Sequence, residues 1–280
     1  MLKIDNNALV EFVEKMPAFP RSVQRVVELS SRMDSSAKEI VKVIESDPIM
    51  TVKILKVINS PFYGLPAKIT SVQRALIHIG LNTVKNLALS VAAMGALNPQ
   101  NKADFDMQEF LLHSIATGFI CRRLAEQLAV STLELSDYFV AGLLHDFGKV
   151  VFAEFCPELF GQALAFSTEQ NTPLYWAEQE IIGVNHAVTG RMLAERWELD
   201  QQLAIAIDHH HNGIETQLGQ CLFVANQVSK KLSIGFAGDP IVEPFSEQIL
   251  QTFGKNLDEI IATLGNIDTI RHDSMALIMV

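Results

Sequence analysis

The chain has 280 residues, of which 49% are apolar and 19% charged, and its 22 basic and 32 acidic side chains give a formal net charge of −10. The apolar content excludes a disordered or linker-type chain, and the acidic excess gives no overall attraction to nucleic acid or to an anionic membrane. Its three cysteines, Cys121, Cys156 and Cys221, form no CxxC pair, which favours a reducing cytoplasm.

The sequence also carries no signal of export or of membrane insertion. The N-terminal residues include an early acid and lack the apolar segment of a signal peptide. The densest apolar stretch, residues 87–97, is too short to cross a bilayer. We therefore expect a soluble, cytoplasmic protein that does not enter a membrane.

Apolar residues recur at helical spacing along almost the whole chain. Residues 36–39 (SAKE) and 70–73 (TSVQ) each predict a capping box, in which a hydroxyl accepts a backbone N–H and the acid or amide side chain bonds back. Asp47 followed by Pro48 predicts another helix start, and Gly80 is expected to end the helix that Thr70 begins. Because no alternating strand is visible, the sequence predicts an all-α protein.

Segments rich in polar residues and helix breakers divide the chain. Residues 98–102 form a polar turn cluster, residues 106–232 are typical of about five helices, and residues 235–244 contain Gly, Asp and Pro breakers. The predicted division is an N-terminal helical bundle (1–98), a second, histidine-bearing bundle (103–235) packed against it, and a short C-terminal helical cap (240–280).

Six of the eight histidines fall into four groups that can converge in space. They are His113, early in a helix; His145 with Asp146; His186; and His209-His210-His211, at the end of a helix that begins near Asp200. Neutral imidazoles and a carboxylate suit a divalent metal such as Zn, Fe, Mn or Ni, and ligands from separate helices leave positions open for water and phosphate. Adjacent residues on one helix lie about 100° apart around its axis, so His145 and Asp146 can face one ion.

The alternative is that each histidine is an ordinary core or surface residue, which is what we expect for His78, His272 and the solvent-facing His209. The metal hypothesis brings Lys149, one turn beyond His145, close enough to add positive charge toward an anionic ligand. Asp146 and Lys149 are then the candidate catalytic residues. The candidate metal ligands are His113, His145, Asp146, His186, His210 and His211.

These residues resemble the HD superfamily of metal-dependent phosphohydrolases, and the fuller resemblance is to its HDOD (HD-related output domain) branch, found in bacterial signal transduction. The motifs that carry it are 16–20 (MPAFP), 44–48 (IESDP), 57–64 (VINSPFYG), 69–75 (ITSVQRA), the run from Leu76 to Leu81, 178–183 with His186, and 196–199 (RWEL). They span about residues 15–230, so the two predicted bundles can be one continuous unit, with an HD-like second part.

The chain departs from the HD pattern where that pattern closes with an aspartate. The matching position is Asn226, which makes it the weakest of the candidate ligands. An amide offers a carbonyl oxygen but no negative charge to offset a dication, so metal affinity and activation of bound water both suffer. Residues 212–214 (NGI) also lack the Gly-Tyr-Pro signature of the branch that hydrolyses cyclic dinucleotides.

Three functions remain open from the sequence. The first, favoured by the resemblance, is a regulatory module that contacts other signalling proteins and retains an incomplete HD-type metal site. The second is a metal-dependent phosphohydrolase acting on a nucleotide or another phosphoester, with a small phosphorylated ligand. The third, DNA binding through residues 34–59, is disfavoured because four basic and four acidic side chains in that run sum to zero.

Overall fold

The computed structural model describes residues 3–31, 36–60, 63, 65–95, 101–212 and 216–278. Within these residues the regular elements are α-helices, which confirms the all-α prediction. Parts of five features named above lie outside the described residues. They are Pro61, Phe62 and Gly64 of the 57–64 motif, residues 34–35 of the run considered for DNA binding, residues 96–97 of the apolar stretch, residues 98–100 of the polar turn cluster, and residues 213–214.

The N-terminal part contains α1 (Asn6–Lys15), α2 (Arg21–Ser31), α3 (Ala37–Glu45), α4 (Pro48–Ile58) and α5 (Val72–Gly95). The second part contains α6 (Met107–Gln127), α7 (Leu135–Leu144), α8 (Gly148–Phe155), α9 (Pro157–Gln170), α10 (Leu174–Ile181), α11 (His186–Arg196), α12 (Gln201–Asp208) and α13 (Gln217–Lys231). The last part contains α14 (Glu247–Phe253), α15 (Leu257–Thr263) and α16 (Ile267–Ile278). The prediction of about five helices in the second part was wrong, because very short turns separate helices there. Cys156 alone joins α8 to α9.

Two of the predicted helix starts are confirmed. Ser36 accepts the backbone N–H of Glu39 at 3.3 Å, and the Glu39 carboxylate accepts the Ser36 N–H at 2.9 Å, which completes the capping box of α3. The Asp47 carboxylate accepts the Met50 N–H at 3.0 Å, and Pro48 is the first residue of α4.

The predicted start of the next helix needs correction, and its predicted end is confirmed. The capping residue is Ser71 rather than Thr70: its hydroxyl accepts the Arg74 N–H at 3.3 Å, because α5 begins one residue later than the proposed box requires. Gly80 ends the first helical stretch of α5, as predicted: its non-helical dihedral angles, φ 78° and ψ 166°, separate residues 72–79 from the stretch that follows. Among the described helices, α5 is long and apolar enough to cross a membrane, and 56% of its most apolar window is buried within the fold.

Helix α6 runs through the second part and packs closely against α7. A side chain at Gly142 would meet the backbone of Gly118 at 2.5 Å, so glycine at these positions lets the two helices touch. On another side, Thr117 of α6 donates a hydrogen bond to Ser229 of α13 at 2.9 Å. These contacts hold α6, α7 and α13 around a common interior.

The N-terminal part is attached to the second part through two of the motifs that carry the family resemblance. Phe19 is buried and stacks on Trp197, with ring centroids 4.6 Å apart. The Trp197 indole N–H donates to the Pro17 carbonyl at 3.3 Å, and Arg196 donates to the Met16 carbonyl at 2.9 Å. Residues 16–20 and 196–199 therefore form one contact between distant parts of the chain.

Candidate metal centre

Four helices and their turns bring the candidate ligands together. The pair predicted to share a helix lies instead in the turn after Leu144, where α7 ends. His145 and Phe147, on either side of Asp146, keep right-handed helical dihedral angles, and His145 Nε2 lies 3.2 Å from Asp146 Oδ2, so the two side chains still meet. The positions are His113 on α6, His145 and Asp146 between α7 and α8, His186 at the first residue of α11, and His210 and His211 just after α12.

The Asp146 carboxylate is the centre of the cluster and is fully buried. Its Oδ2 lies 2.7 Å from the Lys149 ammonium, 3.2 Å from His145 Nε2 and 3.8 Å from His113 Nε2. Its Oδ1 lies 3.1 Å from His186 Nε2 and 3.5 Å from His210 Nε2. Burial alone would raise the pKa of Asp146, but its interactions with the neighbouring His145 and Lys149 side chains hold it well below its usual range.

Backbone hydrogen bonds decide which nitrogen of two histidines faces Asp146. His145 Nδ1 lies 2.7 Å from the Gly142 carbonyl, and His210 Nδ1 lies 2.7 Å from the Ile207 carbonyl. Because a carbonyl can only accept, each Nδ1 must carry the proton, and a neutral ring then turns the lone pair of Nε2 toward Asp146.

The rings of His113 and His210 are neutral near pH 7, since burial lowers the pKa of each to about 3. A lone pair of His210 therefore faces a carboxylate oxygen 3.5 Å away with no hydrogen between them. Five buried atoms of the candidate ligands lack a hydrogen-bond partner: Nε2 of His113, His145 and His210, Nδ1 of His211, and Oδ1 of Asp146. A cation among these atoms would remove the repulsion, so the donor set fits a divalent metal.

His186 is oriented by Glu178, the first residue of the 178–183 motif. One Glu178 carboxylate oxygen accepts the His186 Nδ1 proton at 2.5 Å and the His186 backbone N–H at 2.8 Å. Burial would lower the pKa of His186, but the Glu178 charge more than offsets this, and the net shift is upward. A carboxylate behind an imidazole fixes the ring and increases its strength as a ligand.

The ligand atoms form two groups rather than the single set that the sequence suggested. Within each group the atoms lie within 4.8 Å of one another, and the two oxygens of Asp146 face different groups. A carboxylate between two possible metal positions is typical of two-metal sites. The groups are His113, His145 and Asp146, and His186, His210 and His211.

His211 closes the outer side of the second group. Its ring stacks on Tyr175 with centroids 4.1 Å apart, and its Nε2 lies 2.8 Å from His186 Nε2. The Tyr175 hydroxyl donates to Glu243 at 2.9 Å, and burial raises the pKa of that tyrosine to about 12. Burial lowers the pKa of His211 well below its ordinary value.

The residues between α13 and α14, predicted to be a linker, are packed on the centre. We call residues 234–243 the covering segment. The Ala237 carbonyl accepts the Lys149 ammonium at 2.8 Å, and a side chain at Gly235 would meet the His113 backbone nitrogen at 2.3 Å. Asp239 is paired with the buried Lys230 at 2.8 Å. The centre is thus enclosed by its own chain.

Other predicted residues are placed as follows. Asn226 is buried on α13, and its side-chain oxygen has no hydrogen-bond partner. No hydrogen bond or ion pair among the described residues joins it to the cluster. His78 and His272 are exposed, and the His209 side chain is 45% exposed, as expected for surface histidines. Lys149 is buried with its ammonium on Asp146 and Ala237, an arrangement that neutralises the carboxylate.

None of the four cavities described in the structure includes a residue of the cluster. Their volumes are about 890, 230, 220 and 250 Å³, and they are lined by residues of α2, α4, α5 and the surfaces around Trp197 and Leu203. The contacts of the covering segment with the centre are those of Ala237 with Lys149 and of Gly235 with the His113 backbone.

Comparison with known sequences identifies a family. The HDOD domain model matches residues 16–213. A relative in Treponema pallidum (strain Nichols), an uncharacterized protein, is 26% identical over 205 residues. That match covers 73% of this chain and 39% of the relative, so the chain spans well under half of that protein.

Solved structures have the same fold. An HDOD domain protein of unknown function from Geobacter sulfurreducens has a TM-score of 0.76 at 22% identity, covering 98% of this chain and 99% of its own. A proposed phosphohydrolase from Shewanella amazonensis has a TM-score of 0.74 at 20% identity, covering 97% and 98%. A proposed signal transduction protein from Marinobacter aquaeolei has a TM-score of 0.75 at 19% identity, covering 98% and 64%. With the motifs, the fold and the matched residues in agreement, this chain belongs to the HDOD family.

Proposed function

We propose that this chain is a regulatory HDOD protein of bacterial signal transduction that acts through contacts with other signalling proteins and holds a divalent metal in a buried HD-type centre. The observation that carries the proposal is the enclosure of Asp146. It is fully buried, its charge is balanced by Lys149, and the covering segment lies over it.

The metal is proposed from the chemistry of the donors. Imidazole nitrogens with a carboxylate suit Fe, Mn, Zn or Ni better than Mg or Ca. His113, His145 and Asp146 would hold one ion, and His186, His210 and His211 would hold a second or form an alternative position. A bound ion would lower the pKa of a coordinated water and polarise a phosphoryl oxygen.

The neutral Asn226 supports a structural rather than a hydrolytic role for this metal. An acid at that position would add negative charge near a dication, and its absence weakens both metal retention and water activation. Lys149 acts in the same direction, because a buried ammonium on Asp146 competes with any cation for that oxygen. Contacts with partner proteins are then the means by which the chain acts.

A hydrolysis assay on metal-loaded protein tests this proposal. Wild-type protein loaded with Mn²⁺, Fe²⁺ or Zn²⁺ is incubated with nucleotides and cyclic dinucleotides, beside Asn226→Asp and the exposed control Asn7→Asp. We expect wild type and Asn7→Asp to retain metal and to give no turnover above metal alone. Chelator-sensitive turnover by wild type at about 1 s⁻¹ or faster, the ordinary enzymatic range, would contradict the proposal.

A second candidate function is a metal-dependent phosphohydrolase, and one observation favours it. Asp146 presents its two oxygens to two separate groups of ligands, so an ion held in each group would supply two metals to stabilise the attacking and leaving oxygens of a phosphoester. On this reading the covering segment opens to admit a phosphorylated ligand, and Lys149 moves from Asp146 to that ligand. The same assay decides between the two functions.

A further inference from the structure

The acidic charge of the chain is distributed very unevenly. Residues 48–103 contain no aspartate or glutamate, although the whole chain has 32 of them. The same stretch carries six basic side chains: Lys53, Lys56, Lys68, Arg74, Lys85 and Lys102. One continuous part of an acidic protein is therefore basic, and this part includes α4 and α5.

The largest described cavity lies in this basic part. It has a volume of about 890 Å³ and lies between α4 and residues 65–70. We call it the α4 groove. Its walls are apolar, with Val52 and Leu55 on one side and Leu65 on the other, and Lys56 and Lys68 also line it. Both lysines are exposed, so two positive charges flank an apolar surface.

The shape of the α4 groove is fixed by hydrogen bonds. Asn59, just after α4, donates its amide to the Ile69 carbonyl at 2.8 Å and accepts the Ile69 N–H at 2.7 Å. The two sides of the groove are therefore tied together at one end before any partner binds. A preformed site loses less conformational entropy on binding than one that must be ordered.

The outer face of α4 is unusually apolar for an exposed helix. Ile49 is 70% exposed and Val52 is 63% exposed, and they lie three residues apart on one side of the helix. Val52 also lines the α4 groove, so the exposed apolar face continues into it. Neighbouring exposed apolar side chains beside basic residues are typical of a protein interaction site.

We propose that the α4 groove binds an acidic amphipathic helix of a partner protein. This inference rests on the proposed role in protein contacts and supplies the class of partner. The apolar stripe of such a helix packs on Val52, Leu55 and Leu65, while its acidic residues face Lys56 and Lys68. A nucleic acid fits less well, because its phosphates would leave Ile49 and Val52 uncovered and would meet only two lysines along the groove.

A peptide titration of the full chain tests the inference. The probe is a fluorescein-labelled synthetic helix with leucines at every third or fourth position and glutamates elsewhere, and its binding is followed by anisotropy. The comparison probe has lysine at each glutamate position. We expect the acidic probe to bind about tenfold more tightly than the lysine probe, and hydrogen exchange to slow in residues 48–60 when it binds.

Charge-reversal variants locate the site. Lys56→Glu/Lys68→Glu is expected to weaken binding of the acidic probe by about tenfold, and Val52→Asp to weaken it as well. Lys102→Glu is the control, because it reverses a charge in the same acid-free stretch but outside the lining of the α4 groove. This variant is expected to bind the acidic probe as tightly as wild type does. The substituted lysines are exposed, so these variants are expected to fold.

The inference is overturned if the acidic probe does not bind, if both probes bind equally, or if Lys56→Glu/Lys68→Glu binds as wild type does. It is also overturned if wild type binds a DNA duplex but not the acidic probe, and Lys56→Glu/Lys68→Glu abolishes the binding of DNA. The hydrolysis assay and metal content are separate readouts. Failure of the acidic probe to bind therefore leaves the metal proposal intact. Hydrolysis of a phosphoester by the wild-type protein would contradict the proposed function but would not change the measured affinity for the peptide.

Discussion

Replacing Lys149 by Met should make the stability of the protein depend strongly on metal. The Lys149 ammonium is buried and bonds the Asp146 carboxylate at 2.7 Å and the Ala237 carbonyl at 2.8 Å. Methionine keeps most of the apolar length of the side chain but removes the charge. Without metal, Asp146 is then left as a buried carboxylate that has lost its cationic partner.

The loss of folding free energy in Lys149→Met can be estimated from measurements on other buried ion pairs. Removing one partner of such a pair destabilises a protein by about 3–5 kcal/mol. For a chain of this size each kcal/mol lowers Tm by about 2–4 °C, so Lys149→Met should melt roughly 10 °C below wild type in chelator. A divalent ion at Asp146 supplies the missing charge, and no ammonium competes with it. Metal should therefore raise the Tm of the variant by more than it raises that of wild type.

The assay is thermal unfolding in chelator and again with added Mn²⁺ or Zn²⁺. Lys230→Met is the matched control, because Lys230 is also buried but pairs with Asp239 rather than Asp146, at 2.8 Å. Both variants should be destabilised in chelator, and only Lys149→Met should be restored by metal. Equal responses of the two variants to metal, or no loss of stability in Lys149→Met, would refute the reasoning.

Three further predictions follow from other parts of the structure. Asn226→Asp adds a negative charge, so the variant should bind metal about tenfold more tightly than wild type in a chelator competition. An unchanged metal affinity would show that residue 226 does not face the ion. Chelator-treated protein should lose stability as pH falls from about 6.5 toward 3. His113 and His210 have pKa values of about 3 in the folded protein, so the unfolded chain binds more protons than the folded chain in that pH range. Urea titrations that give the same free energy of unfolding across this range would contradict the prediction. Phe19→Ala should lower the free energy of unfolding, measured by denaturant titration, by about 3–5 kcal/mol. The Phe236 side chain is 46% exposed, so Phe236→Ala should lower it by under about 1 kcal/mol. Similar losses for both variants would show that the Phe19–Trp197 contact does not stabilise the fold.

Much of the fold could be predicted because local chemistry decides it. The capping box at Ser36 and the Asp47-Pro48 start involve residues within one helical turn, and both are present. What the sequence did not reveal depends on distant contacts. The covering segment contains helix breakers, and its hydrogen bonds to distant residues, among them Lys149 and Lys230, make it part of the interior.

In the candidate site, too, the features that depend on local sequence could be predicted and those that depend on distant contacts could not. Residue type and helical position selected the histidines and Asp146, and the structure places them in one buried cluster; that they bind a metal stays a prediction. The division into two groups was not predictable, because it depends on which way each Asp146 oxygen points. Glu178 was missed as a partner of His186 because it lies eight residues earlier, across the turn between α10 and α11. A buried acid close before a candidate histidine ligand is the signal that could have identified it.

Metal analysis of the purified protein tests the central claim most directly. Protein purified without chelator, beside an Asp146→Asn variant, is measured by elemental analysis. We predict at least about one equivalent of a first-row divalent metal in wild type and a large loss in the variant, since Asp146 is the only carboxylate in either ligand group. Wild-type protein that stays free of metal even after incubation with Fe²⁺, Mn²⁺, Zn²⁺ or Ni²⁺ would contradict the account.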